Sequence, residues 1–522
     1  EGVGVGDNFF ELGGDSIQAM LIAARAARHG IKLKLRAVFE HQTLASLARS
    51  ATTDATSETE DLSFGDAGDL TILPGVHFDD TPAEVRRTFA GAMMMAPTTP
   101  MQAGMLFQTH AFPTKGMYLL QLRYALPTDI DAEALRSAWQ ATVAAFSILR
   151  TSFTWDDNGQ TIQVIWPAAT IPFHLVNWTE VDSAELDDRY AALLDSDREA
   201  GVDIERAPLS RITLIHRPDR RYEMVWTYHH ALLDGWSHSI VLGVLTESYQ
   251  RIRAGLPVDK VEAVPFVRYI DWRARQDHDE ALKQWTYYLE DFTGSRGIPL
   301  PPCARPQHVH ETFDLTAAQV DELRAFARHG KVAFNLLFQA VWAVMLAEHT
   351  GEQDVLFGMT VAGRPPDLAG VEQMVGMLIN TLPVRVWVEP DWEPMAWLHS
   401  IHDSQLRVRD HDWIPQPDLT RLLRLSRGAP PFESFVSIED YPRNSGAEAG
   451  LAAIGAQPLN GIIRHSVPIM LGVVPHGDGV RVHLVLPQGD PRWTRALLNR
   501  YREALLSLPH ATQVAELFAP VT

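Results

Sequence analysis

The sequence predicts a multi-domain protein: a small all-α helical bundle, a polar linker, and a larger α/β part in two halves. Three observations carry this reading. At 522 residues the chain is longer than one hydrophobic core organises. Near its start, apolar residues recur at helical spacing. Beyond about Met93, helical stretches and β-rich runs are mixed.

The elements follow in order. SIQAMLIAARAARHG, Ser16 to Gly30, keeps helical spacing and ends on a glycine, with Ser16 where an N-cap stands. LRAVFEHQTLASLARSA adds one or two short helices. ATTDATSETEDLSFGDAGD is rich in Ser, Thr, Asp, Glu and Gly, buries little, and reads as a linker. The expected boundaries are 1–52 for the helical unit, 53–92 for the linker, 93–272 for the first α/β half and 273–522 for the second. DAEALRSAWQATVAAF reads as a helix. RITLIHRPDRRYEMVWTYHH reads as two strands joined at Arg217 to Arg220, with Pro218 and Asp219 as turn residues. VLFGMTVAG and GVRVHLVL have strand character. The most apolar segment, around Asn335 to Ala347, is too short to span a bilayer and reads as a buried helix.

Composition narrows the function. Lys+Arg 45 against Asp+Glu 65 gives a net charge of −20, which repels a phosphate backbone and argues against nucleic acid as a partner. The sole cysteine, Cys303, excludes an intrachain disulfide framework and a Cys-based zinc site. No charged segment followed by an apolar signal core opens the chain. The expectation is a soluble protein of the reducing cytoplasm, without membrane attachment.

The stretch Tyr228 to Ser237, YHHALLDGWS, sits between a strand and a helix. Side chains alternate along a strand, so His229 and His230 face opposite ways and one of them points into a given cavity. Asp234 and Gly235 form the turn, and Ser237 is a candidate cap for SIVLGVLTESYQRIRAG. Three readings stand. The pair is a core feature with a turn-forming Asp-Gly; or it binds a metal, disfavoured because adjacent histidines on opposite faces chelate poorly; or one histidine, with an ordinary pKa near 6.5, does acid–base or positioning work.

LGGDSIQ offers Ser16 as a nucleophile, and its letters resemble GDS-type lipases. That family needs a downstream Asp-x-x-His, and the chain has none. A G-x-S-x-G elbow is also missing. Taken alone, Ser16 is a helix cap.

Longer stretches change this reading. DNFFELGGDSIQAM, Asp7 to Met20, resembles the carrier-protein signature of nonribosomal peptide synthetases, D-x-F-F-x-L-G-G-x-S. The resemblance implies that Ser16 carries 4′-phosphopantetheine, and that a further carrier helix belongs upstream of Glu1. The remainder resembles the condensation domain of the same synthetases. YHHALLDG fits its H-H-x-x-x-D-G motif, and PTTPMQAGMLF its opening motif. FSILRTSF fits H-E-x-L-R-T-x-F, with Ser147 and Ile148 where His and Glu are usual. RYIDW, VGMLINTLPVRV, HDWIP and FVSIEDYPRN resemble later motifs, in order.

This implies two chloramphenicol-acetyltransferase-like lobes in a V, with the active site between them. The implied reaction is amide formation: a donor acyl thioester on the carrier is attacked by the amine of an aminoacyl thioester on a downstream acceptor carrier. His230 carries over as the catalytic histidine, either hydrogen-bonding the amine or taking its proton. The Gly235 N–H is a candidate donor to the oxyanion of the tetrahedral intermediate. His229 braces the fold. Asp234 is read as structural, paired with Arg150 and with Arg364 in reserve. Further implied partners are an adenylation domain and a phosphopantetheinyl transferase, with a monomeric chain inside a larger synthetase. Two alternatives share the fold. An epimerisation domain needs an acid on the opposing lobe, for which no convincing motif is found. A non-catalytic recruitment domain for tailoring oxidases carries degraded motifs, whereas YHHALLDG is intact. PTTPMQAGMLF, LLDGWS and INTLPVRV further resemble the subgroup that accepts a D-configured donor.

Overall fold

The computed structural model describes residues 3–14, 16–53, 70–79, 82–112, 116–426, 429–439, 445–462 and 467–518. The first unit holds helices Ser16–Arg28, Leu35–Glu40 and Leu44–Ser50. A Thr43–Ser46 capping box starts the last of them, satisfying donors that a bare helix end leaves open. Ser16 is the first helical residue of its helix rather than its cap. A two-residue strand pair, Ile31–Lys32 with Thr52–Thr53, ties the ends of the unit together, so it is not wholly helical.

The linker expected over 53–92 does not extend to residue 92. Residues 54–69 lie outside the described residues. From Leu70 onward the chain already belongs to the first lobe. Thr71–Ile72 pairs parallel with Met94–Pro97, and Leu70 and Val85 are buried with Met95, Ile162 and Val164. Apolar residues scattered through a polar stretch are enough to fold it onto a neighbouring sheet edge.

In the first lobe, a five-stranded sheet runs Gln457–Ile462, Leu119–Leu126, Tyr222–His229, Ser210–His216, Phe173–Asn177. Helices Ala132–Ala145 and Gly235–Arg253 pack against each other over its core. The hairpin 210–229 forms as its pattern predicts, with Arg220 in the left-handed region at φ 62°. The second lobe is built on a six-stranded sheet: Gln307–Leu315, Gly479–Gly489, Ile469–His476, Ser434–Ile438, Asp354–Val361, Asn380–Trp387. Behind it lies the helix Phe334–Thr350, whose residues from Leu336 to Ala347 are all buried. Among the described residues no single helix is long and apolar enough to cross a membrane.

Two features correct the boundary at 272/273. That point falls inside the helix Val267–Ala274, and Trp272 packs against clusters on both sides of it. The second half also returns to the first lobe. Helix Ser445–Ala453 lies on Gly235–Arg253, strand Gln457–Ile462 joins the sheet edge beside Leu119–Leu126, and Val371, Met374, Val375 and Leu378 are buried in the first lobe's core. The lobes are therefore interleaved rather than sequential.

Candidate active site

The opening motif explains how the histidine loop is held. Thr99 and Gln102 form a capping box at the start of helix Pro100–Ala111. The fully buried Gln102 side chain also donates to the Ala231 carbonyl (2.9 Å). One helix serves both its own cap and the loop after the motif strand.

His229 and His230 separate as the strand's alternation requires. His229 is fully buried. Its Nδ1 accepts from the Ala231 N–H (3.1 Å), so Nε2 carries the proton and donates to Thr109 Oγ1 (2.8 Å). Burial, reinforced by the neighbouring His230, pushes its pKa down to about 3. It is neutral and fully engaged, with nothing left for a substrate.

His230 is partly exposed. Its backbone N–H donates to the Tyr118 carbonyl (2.8 Å), and its Nδ1 lies 2.7 Å from the Leu233 carbonyl. A carbonyl only accepts, so Nδ1 carries the proton and Nε2 keeps its lone pair. Burial lowers its pKa, against the opposing pull of the Leu233 hydrogen bond and of Asp234. A neutral imidazole with Nε2 open can accept a proton or a hydrogen bond.

Asp234 does not pair with Arg150. Its Oδ2 accepts from Arg364 Nη1 (2.9 Å) and from the Leu378 N–H (3.1 Å); its Oδ1 accepts from Arg364 Nη2 (3.1 Å) and the Ser237 N–H (2.8 Å). Asp234 is thus the cap of helix Gly235–Arg253, a place expected for Ser237. Ser237 instead donates its hydroxyl to the Gly376 carbonyl (2.9 Å). Arg364 is buried and stacks over Trp236, 4.6 Å from its ring centre. Arg150 ends the turn Ser147–Arg150 that leads into Thr151–Trp155, the edge strand of a four-stranded sheet that also holds Thr161–Ile165, Met94–Pro97 and Thr71–Ile72, and there it donates to the Trp166 carbonyl. Both Asp234 oxygens are saturated by groups from 364–378 and by its own helix, so a second arginine has nothing to bind. Gly235 is the first residue of the helix, where backbone N–H groups have no intrahelical acceptor.

The first unit sits against this assembly. Phe10, Phe39 and Leu47 form one buried cluster with Ala333 and Leu406, and the Arg409 guanidinium lies 3.8 Å from the Phe39 ring centre. A cavity of about 130 Å³ is lined by Met20 and Phe39 on one side and by Asn335, Gln339, Gly363 and Arg364 on the other.

Comparison with known proteins accounts for these parts. The Condensation domain family matches residues 93–465, and the Phosphopantetheine attachment site family matches residues 1–50. The chain belongs to the condensation-domain family. It is a carrier–condensation didomain of the nonribosomal peptide synthetase type. One linear gramicidin synthase protein of Brevibacillus parabrevis is 36% identical over 356 residues, covering 67% of this chain and 7% of that protein. Another component of the same synthase is 32% identical over 433 residues, covering 80% of this chain and 8% of that protein. The chain thus spans under a tenth of these relatives' length. Among solved structures, the first condensation domain of the CDA synthetase superposes with a TM-score of 0.64 at 19% identity, covering 82% of this chain and 99% of that one. The X-domain from teicoplanin biosynthesis does so with 0.68 at 19% identity, covering 81% and 97%. These likenesses concern the fold alone: two lobes in a V.

The carrier unit fits a pantetheine arm. Ser16 opens the helix that carries Met20 one turn further on, and Met20 lines the cavity against the second lobe. The cavity mixes amide side chains, Asn335 and Gln339, with apolar ones, which suits a chain of amides and methylenes. Its far wall, Arg364, is the residue that holds Asp234 and hence the loop of His230. Sequence reasoning named Arg364 only as a reserve and gave no role to Thr109 or Gln102, although all three lie in stretches that it quoted or adjoined.

Proposed function

We propose that this didomain forms peptide bonds during nonribosomal peptide synthesis. The carrier holds an aminoacyl or peptidyl donor on an arm attached at Ser16, and the condensation domain passes it to the amine of an acceptor on a second carrier. The observation that carries this reading is His230, with Nδ1 engaged by the Leu233 carbonyl and Nε2 left as an acceptor.

When attached, the arm supplies an electrophilic acyl carbon and a thiol leaving group. The residues of the chain do the rest. His230 Nε2 accepts a hydrogen bond or proton from the attacking nitrogen, and can return that proton to the departing sulfur. The Asp234–Arg364 pair fixes the loop, and so aims the imidazole rather than sharing its proton. An α-amine has a pKa near 7.7–8.0, so a fraction is neutral at cellular pH. Orientation therefore accounts for much of the acceleration, and proton transfer for a further share.

The partners are an acceptor carrier and an adenylation domain elsewhere in the synthetase, together with a cytoplasmic phosphopantetheinyl transferase acting on the monomeric chain. The chain is to be loaded at Ser16 with a defined donor, mixed with a loaded acceptor carrier, and its products separated by mass and by chirality. An amide product supports the proposal. A donor of inverted configuration without amide indicates an epimerisation domain, and no change indicates a recruitment module. The donor pocket belongs to the D-accepting subgroup: glycyl- and D-aminoacyl donors should condense faster than the matching L-donor. Equal or faster turnover of the L-donor rejects the subgroup assignment.

A further inference from the structure

Where the second lobe meets the carrier, it presents two polar groups that the protein leaves without a partner. Arg409 opens the short turn Arg409–His411, with its guanidinium over the carrier's Phe39 ring at 3.8 Å. His402 lies against two carrier rings, with its ring centre 5.9 Å from that of Phe10 and 5.9 Å from that of Phe39. Both residues line the cavity that Met20 and Phe39 close from the carrier side. Arg409 Nε and His402 Nε2 are buried, and neither has a hydrogen-bond partner. Buried polar atoms in native proteins are nearly always bonded, so two in one cavity call for a group that the cavity receives.

The aromatic wall explains half of this arrangement. A ring face stabilises a cation lying over it, but it leaves the N–H edge of the guanidinium unbonded. Burial lowers the Arg409 pKa to about 10, so the group stays charged at neutral pH. The charges of Asp412 and Asp410 reach Arg409, yet its Nε bonds to neither. Asp412 lines the same cavity, and burial raises its carboxyl to about 7, so it gives up its charge readily to a stronger acid. Burial, with the charge of Arg409, holds His402 down at about 4; it is neutral, and Nε2 can carry its proton. The cavity therefore offers N–H groups and one positive charge to an anion with oxygen acceptors.

The carrier brings such an anion. A 4′-phosphopantetheine arm is joined to its serine through a phosphodiester, the one charged group in a chain of amides and methylenes. Ser16 opens the helix on which Met20, a wall of this cavity, stands one turn further on. A guanidinium fork matches phosphate oxygens in geometry as well as charge. We infer that Arg409, with His402 beside it, seats the phosphodiester of the arm at Ser16; the inference rests on the reading of Ser16 as the attachment point. The seat couples docking to loading. An unmodified carrier leaves both nitrogens without a partner, whereas a loaded carrier satisfies them, so the second lobe holds the carrier more tightly once the arm is attached. No covalent bond is made or broken.

The test follows hydrogen exchange of residues 399–412 in the full chain in three forms. These are Ser16 unmodified, Ser16 carrying phosphopantetheine, and Ser16→Cys carrying a pantetheine thioether that lacks the phosphate. Phosphopantetheine should slow exchange there about tenfold or more, as a charge-assisted contact does, and the neutral arm should not. The slowing should vanish in Arg409→Met and survive in part in Arg409→Lys, which keeps the charge without the fork. Each variant is compared with its own unmodified form, so loss of the Phe39 contact cancels. Equal slowing by both arms assigns the protection to the amides and methylenes and overturns the inference. Full slowing in Arg409→Met, or none in wild type, overturns it as well. A wild-type chain that takes no arm overturns the carrier reading and this inference together. Phosphate-dependent protection in a chain that forms no amide supports the seat and contradicts the condensation reading, which separates the two.

Discussion

Asp234 and Arg364 are buried; two hydrogen bonds join them and the Ser237 and Leu378 N–H groups complete the carboxylate, so removing either leaves the other charge without its partner. Asp234→Asn or Arg364→Met alone should cost about 3–5 kcal/mol, and the double change less than the sum. Additive losses in a thermal-melt cycle would reject the coupling. Arg150→Met combined with Asp234→Asn should by contrast be additive, since Arg150 bonds elsewhere. His229 gives a pH signature. Its folded pKa of about 3 lies below its ordinary value near 6.5, so between those values the unfolded chain binds a proton that the folded chain refuses. Stability contributed by neutral His229 is therefore complete above pH 6.5 and falls by about 1.4 kcal/mol per pH unit on acidification towards pH 3. Urea midpoints measured from pH 7 to 4 should fall more steeply in wild type than in His229→Gln; parallel slopes would contradict the burial of a neutral imidazole. In the sequence Arg364, 130 positions away, stands only behind Arg150 as a partner for Asp234, because a carboxylate shows no trace of which arginine saturates it.

The strand–loop–helix unit around the motif was legible because its signals are local. The hairpin alternates, Asp-Gly turns the chain, and the helix keeps its apolar stripe. Even there the cap was misassigned, because Asp234 and Ser237 are both good capping residues and only the hydrogen bonds decide. The return of 445–462 to the first lobe was not legible. Gln457–Ile462 contains Pro458, Asn460 and Gly461, reads as a loop, and becomes a strand only because the edge of Leu119–Leu126 is open to it. Helix Ser445–Ala453 approaches Gly235–Arg253 so closely that a Cβ on Gly450 would lie 2.2 Å from Thr246 Oγ1. Gly450→Val should wedge the two helices apart and lower stability by about 1–3 kcal/mol. It should also speed hydrogen exchange in residues 119–126 relative to 479–489, whose sheet it does not touch. Equal exchange in both sheets would contradict the crossover.

At the scale of the whole molecule, the family resemblance made the two-lobed fold and the carrier legible, while composition alone gave only a large acidic globular chain. The interleaving of the lobes matters for function: the loop of His230 comes from the first half and the arginine that fixes it from the second. The carrier adds Met20 and Phe39 to the wall of the cavity beside that arginine. Coenzyme A with a promiscuous transferase should add one arm to the chain and none to Ser16→Ala, as read by intact mass. The central claim is that donor chemistry held at Ser16 is completed by His230 Nε2. Its most direct test is single-turnover amide formation by wild type and His230→Ala, both loaded at Ser16 and matched in melting temperature. A loss of about 10²–10⁴-fold with loading unchanged is the predicted result; an undiminished rate in His230→Ala would contradict the account.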